Sequence, residues 1–214
     1  MTKLLKQFVL IVLMVIPLVA CGTNGSKQSV VSGRSQSPKT NGKVLIVYFS
    51  KAGENYAVGN VKVGNTAVMA SYIKEQTGGD IFEIVPENPY PDNYDATEKR
   101  AEKEKADNAR PAIKNKIANL DQYDVIFIGS PIWVYDVPMI MYTFCETYKD
   151  DLAHKTIVPF CTHEGSGISD LEKLLKRYMP EAKYLDSYDV RGRDIRKSKD
   201  KVTDWLKSLG FRAK

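Results

Sequence analysis

Cysteine and histidine are scarce: 214 residues hold three cysteines and two histidines. Cys21, Cys145 and Cys161 fall in no C-x-x-C or other metal-like spacing, and His154 and His163 add no ligand cluster. A protein-ligated metal centre therefore has no sequence support. Cys145 and Cys161 lie in small, mostly apolar neighbourhoods and read as buried thiols, with a disulfide between them as the alternative in an oxidising compartment.

Charge is also scarcer than the net +5 implies. Five of the 31 basic residues, Lys3, Lys6, Lys27, Arg34 and Lys39, precede residue 43, and none of the 26 acidic residues does. The rest of the chain is neutral, so nucleic-acid binding loses its main compositional support. A long apolar run is lacking too. The stretch 8–20 is shorter than the ~20 residues that a membrane-spanning helix needs, and no twin arginine precedes it.

That stretch does have Lys3 and Lys6 ahead of it and Leu18-Val19-Ala20-Cys21 at its end, the layout of an export signal. The ending resembles the lipobox of bacterial lipoproteins. The resemblance implies a signal peptide over residues 1–20, lipidation of Cys21, and a protein exported by the general secretory route and lipid-anchored to a bacterial membrane in the cell envelope. An ordinary secretory signal, or a membrane anchor that happens to contain a cysteine, is the alternative. Residues 22–42 are rich in Ser, Gly, Asn, Thr and Gln, bury too little apolar surface to fold, and read as a flexible tether. The folded domain is expected over residues 43–214, a length suited to one core.

Within it, residues 43–49 (KVLIVYF) form the β-branched and aromatic run of a strand buried on both faces of a parallel sheet. Residues 65–76 carry Val68, Met69, Tyr72 and Ile73 at helical spacing and stop at Gly78-Gly79. Residues 81–85 are a second strand. A helix is expected over 94–109, a third strand over 124–128, a helix over 139–148 and a fourth strand over 156–161. A helix over 170–178, a weaker strand over 183–188 and a helix over 194–209, with Val202, Trp205, Leu206 and Leu209 on one face, complete the pattern. Five strands alternating with helices predict an α/β fold, a doubly wound three-layer sandwich around a five-stranded parallel sheet. Such sheets bind ligands outside the carboxyl ends of their strands, where strand order reverses. The loops after the first, third and fourth strands are thus the place to look.

The first loop offers Ser50, small residues at Ala52 and Gly53, and Asn65-Thr66 opening a helix. Hydroxyls, backbone N–H groups and the positive end of a helix dipole are what a phosphate needs, although Gly-Asn-Thr also describes a routine helix cap. The second loop, GSPIWVYDVP at 129–138, puts Pro131, Ile132, Trp133 and Tyr135 at a strand end. They form an aromatic wall for a flat ligand, or Trp133 packs under the following helix as core. The third, CTHEGSG at 161–167, combines flexible glycines with donors at Thr162, His163 and the Gly165 backbone.

Tyr48-Phe49-Ser50 closing the first strand and Gly129-Ser130-Pro131-Ile132-Trp133 closing the third resemble the flavodoxin family, and the likeness runs over residues 43–214. Flavodoxins are themselves a familiar example of the strand-end crevice rule. The resemblance implies strand order 2-1-3-4-5 and noncovalent FMN, with its phosphate on the first loop and its isoalloxazine ring between the other two. The implied cofactor-binding set is Ser50, Ala52, Gly53, Asn65, Thr66, Pro131, Ile132, Trp133, Tyr135, Thr162, His163 and Gly165. One departure is an insertion between Gly53 and Asn65 that splits the usual compact phosphate loop. Ser50 with Asn65 and Thr66 is the favoured register, and Glu54-Asn55 the competing one.

On this reading Trp133 meets the ring by stacking or by its edge, while Thr162, His163 and the N–H groups around Gly165 face the pyrimidine edge, where reduced flavin is negative. A plain surface histidine, or a proton-transfer role, is the alternative for His163. Tyr94, Arg100 and Arg110, in the excursion 90–111, either cover the flavin edge and bind substrate or a redox partner, or belong to a solvated helix. The implied function is electron transfer outside the cytoplasmic membrane to a redox partner or small acceptor, with FMN acquired after export. The alternatives are an NAD(P)H-dependent quinone reductase and a flavodoxin-fold binding module without redox activity, which the split loop favours.

Overall fold

The computed structural model describes residues 42–212. The expected export signal, Cys21 and all but the last residue of the expected tether lie outside these residues. The strands are β1 (Val44–Tyr48), β2 (Gly53–Asn55), β3 (Gly59–Val61), β4 (Asp80–Glu83), β5 (Val125–Pro131), β6 (Thr156–His163), β7 (Lys183–Tyr184) and β8 (Tyr188–Arg191). The helices are α1 (Asn65–Thr77), α2 (Tyr94–Ala106), α3 (Met139–Leu152), α4 (Ser169–Tyr178) and α5 (Lys199–Ser208), with short 3₁₀ turns at Leu120–Gln122 and Gly192–Lys197.

The main sheet runs β4-β1-β5-β6-β7, with β8 also on β6, and every pairing in it is parallel. Counted by the expected strands, this is the order 2-1-3-4-5. The strands alternate their side chains between two cores. Leu45, Val47, Ile126, Ile128 and Ile157 join Phe144 and Met141 of α3 and Leu171 and Leu175 of α4 on one face. Val44, Ile46, Phe127, Val158 and Phe160 join Met69 and Ile73 of α1 and Val202, Trp205 and Leu206 of α5 on the other. Strands apolar at every position are therefore buried on both faces, as their composition requires.

Four local departures from these expectations stand out. The strand expected over 183–188 is split into β7 and β8. Leu185 donates its N–H to Ile157 O, and the next rung of a parallel ladder would need an N–H from residue 159, which is a proline. The helix expected over 194–209 is a 3₁₀ turn followed by α5, with Ser198 at the joint donating its hydroxyl to Asp194 O. The loop expected over 50–64 contains an antiparallel hairpin, β2 with β3. The helix expected over 94–109 ends at Ala106, followed by Asn108 at a positive φ of 48°.

Cys145 and Cys161 are both free and fully buried, and burial pushes both thiols well above their ordinary pKa. Among the described residues no group of His, Cys, Asp and Glu is arranged to hold a metal ion, and no helix is long and apolar enough to cross a membrane.

Candidate cofactor crevice

The carboxyl ends of β1, β5 and β6 open into one crevice. Its larger part, about 490 Å³, lies between the β2–β3 hairpin, the start of α2, the loop after β5 and the loop after β6. A smaller recess of about 80 Å³ continues it toward the first turn of α1. Lys51, Asn55, Tyr56, Ile132, Trp133 and Glu164 line both. A concave, partly aromatic enclosure of this size is what a nucleotide-like cofactor occupies.

The recess is built from distant pieces of chain. Ser50 closes β1, Gly64 caps α1, and the two touch so closely that a Cβ on Gly64 would lie 2.3 Å from Ser50 Oγ and 2.5 Å from Lys51 O. Ser50 Oγ then accepts the N–H of Ala67 at 3.1 Å, acting as the cap that Gly64 cannot supply. Asn65 is therefore the first residue of the helix and not its side-chain cap. The backbone N–H groups of Asn65 and Thr66 find no acceptor among the described residues. The Thr66 and Thr162 hydroxyls are both buried, 2.8 Å apart, and among the described residues bond only to each other. One hydroxyl proton of the pair is left without an acceptor. Orphan N–H groups, an orphan hydroxyl and the positive end of a helix together suit a phosphate-sized anion.

The loop after β5 forms the wall. Ile132 N–H bonds to Thr162 O, which keeps β5 beside β6 to the crevice mouth. Trp133 and Asp136 then exchange both backbone hydrogen bonds, at 2.7 and 2.9 Å, across a two-residue turn in which Val134 and Tyr135 have φ of 49° and 56°. This is the geometry of a type I′ turn, which costs a β-branched residue ~1–3 kcal/mol. The surroundings hold it: Lys105 Nζ of α2 donates to Val134 O at 2.9 Å, and Asp136 accepts the N–H of Val137 and the hydroxyl of Tyr142. Trp133 is half-buried. Its ring meets Phe49 and Tyr90 edge-on at 5.4 and 5.1 Å, so it both packs on the core and lines the crevice. Tyr135 is 87% exposed on the outer rim.

The third loop is held by polar contacts. Gly165 N–H donates to His163 Nδ1 at 2.8 Å, so the ring proton is on Nε2, which donates to Asp189 Oδ2 at 2.7 Å. The side chain of His163 borders the recess, but neither ring nitrogen is free for a ligand. Glu164 accepts the backbone N–H and the Nε of Arg193, at 3.0 and 2.6 Å, tying this loop to the turn after β8.

Ser50, Asn65, Thr66, Pro131, Ile132, Trp133, Thr162 and His163 thus come together around the recess, and Tyr135 and Gly165 around the larger cavity. Ala52 and Gly53 do not line either part, which corrects the expectation for them. Gly53 opens β2 at a φ of +82° with its Cα packed on the Asp92 backbone, and Ala52 is exposed beside it. In the competing register, Asn55 lines both parts, whereas Glu54 borders only the larger one and caps α2 by accepting the Tyr94 N–H. Tyr94 reaches the cavity, but Arg100 and Arg110 do not. Arg100 is spent on Glu104 and two carbonyls, and Arg110 on Glu146.

Sequence reasoning missed Lys51, Tyr56, Glu164, Gly192 and Arg196. Lys51 donates its ammonium protons to Ala52 O, Glu54 O and Asp92 O, and burial lowers its pKa. The one local signal was Gly53-Glu54-Asn55 and Gly59-Asn60 flanking the hairpin turn.

These features agree with what the chain is similar to. A family model described as Flavodoxin matches residues 43–209, and this chain belongs to that family. A flavoprotein from Bacteroides eggerthii is 32% identical, with 80% of this chain and 100% of that one covered and a TM-score of 0.64. One from Bacteroides uniformis is also 32% identical, over 78% of this chain and 98% of that one, with a TM-score of 0.62. A flavoprotein from Lactobacillus acidophilus, solved in complex with FMN, shares the fold at 21% identity, over 76% and 99% of the two chains, with a TM-score of 0.54. No curated protein matches the chain.

Proposed function

We propose that this protein binds FMN in the crevice and carries electrons outside the cytoplasmic membrane, anchored there through lipid on Cys21. The observation that supports this most is the recess at the start of α1, where the N–H groups of Asn65 and Thr66 and the spare proton of the Thr66–Thr162 pair converge without an acceptor of their own. Bound FMN supplies reversible one- and two-electron chemistry. The chain supplies the setting. Asn65, Thr66 and Thr162 hold the phosphate end, Ile132 and Trp133 exclude water from one wall, and the Gly165 loop is fixed by His163 and Glu164 to border the other.

The test uses the full chain titrated with FMN and with riboflavin. FMN should develop a bound-flavin spectrum with quenched fluorescence, and riboflavin should bind much more weakly. A colourless protein without quenching would end this reading and leave the non-redox binding module. The cavity extends past Trp133 to Tyr56 and Tyr94, which favours a second use, two-electron reduction of a small acceptor. Steady-state oxidation of NAD(P)H by the FMN-loaded protein distinguishes that reductase from a carrier. For the anchor, Cys21→Ala should move the protein from the membrane fraction to the soluble one; an unchanged distribution would refute lipidation at this residue.

A further inference from the structure

We infer that Arg196, outside the crevice, decides whether it accepts a phosphate, by fixing which end of the Asn65 amide faces inward. This rests on the FMN reading above. Arg196 Nη1 donates to Asn65 Oδ1 and Nη2 to Val63 O, both at 2.8 Å. A guanidinium has donors and no acceptor, so it takes the amide only by its oxygen. The Asn65 NH₂ is thereby turned to the other side, toward Gly192, where both residues line the recess with Ser50, Thr66 and Thr162. Asn65 Nδ2 has no acceptor among the described residues.

Gly192 completes the arrangement. Its φ is not in the left-handed region, so its backbone conformation is open to other residues; the space is not. A Cβ there would lie 2.3 Å from Asn65 Nδ2 and would drive the amide from its place. The second bond, to Val63 O, fixes the residue just before Gly64, and with it the approach of α1 to Ser50. Arg196 is thus a positioning residue. It touches no ligand itself, and it presents two more N–H donors to an anion by occupying the one acceptor of the same amide.

The test compares FMN with riboflavin on the full chain by fluorescence quenching. Arg196→Met should weaken FMN binding about tenfold or more while riboflavin affinity stays within about twofold, since one charge-directed donor set is lost and only the phosphate uses it. Lys197→Met removes the same charge one residue along without touching Asn65 and should leave the FMN-to-riboflavin ratio unchanged. Asn65→Asp keeps the partner of Arg196 but offers no donor, and should abolish the preference for FMN with apo thermal stability retained. An unchanged ratio in Arg196→Met or Asn65→Asp, or an equal fall in Lys197→Met, overturns the inference. A wild-type protein that binds FMN no better than riboflavin overturns the phosphate reading first, and this one with it.

Discussion

Thr66 on α1 and Thr162 on β6 are 96 positions apart in the chain, yet their hydroxyls lie 2.8 Å from each other, both residues buried at the floor of the recess. Each supplies the other with one partner, and one proton remains for a ligand. Replacing both by valine removes a donor and an acceptor together and leaves nothing unpaired. The double variant should keep its unfolding temperature within a few degrees and lose FMN affinity by about tenfold. Calorimetry without ligand, set beside an FMN titration, separates the two effects.

Val134 and Tyr135 occupy the two central positions of a tight turn that favours Asn and Gly. The double change Val134→Asn with Tyr135→Gly should relieve the backbone, raising stability by about 1 kcal/mol and the unfolding temperature by roughly 2–4 °C. A decrease in Tm would mean that Lys105 and Asp136 impose no strain on this turn.

Trp133 joins two roles that are usually separate. Trp133→Ala should destabilise the apo protein by about 2–3 kcal/mol, because edge contacts to Phe49 and Tyr90 are lost from a half-buried ring, and should also weaken and spectrally shift bound flavin. Trp133→Phe should restore most of the stability and only part of the spectrum. Chemical denaturation with and without FMN reads both.

Cys145 and Cys161 should stay silent to iodoacetamide at pH 8 in a folded Cys21→Ser chain and both react once it is unfolded. Burial raises the folded pKa of each thiol, so the unfolded chain releases these protons first. Their contribution to stability is whole below the ordinary thiol pKa of about 8.5 and is lost as pH rises above it. Denaturation midpoints measured from pH 7.5 to 10 should fall accordingly, and less steeply after Cys145→Ala.

The central strands are readable because a strand buried on both faces must be apolar throughout, and 43–49 and 125–128 have no other use for such a run. Asn65 and Thr66 were findable for the same kind of reason: an open helix start is a local property. Pro159 shows the limit. Its missing N–H divides a strand some 25 residues later, an effect invisible until the register of β6 is known. Arg196 lies further out of reach. Its partners Val63 and Asn65 are more than 130 positions away, and an arginine in a charged stretch of 3₁₀ turn looks like any solvated one.

The contact of Gly64 with Ser50 and Lys51 pinches the chain shut at the base of the β2–β3 hairpin. What enters that hairpin leaves it at the point of entry, so its length is decoupled from the frame beneath. A shorter connection would meet the same two ends, and a longer one would burden neither the sheet nor α1. The hairpin is therefore independent of the sheet and of α1, held instead to the start of α2 through Glu54, and is a place where the outer wall of the crevice can be rebuilt for another acceptor while the first turn of α1 keeps its form.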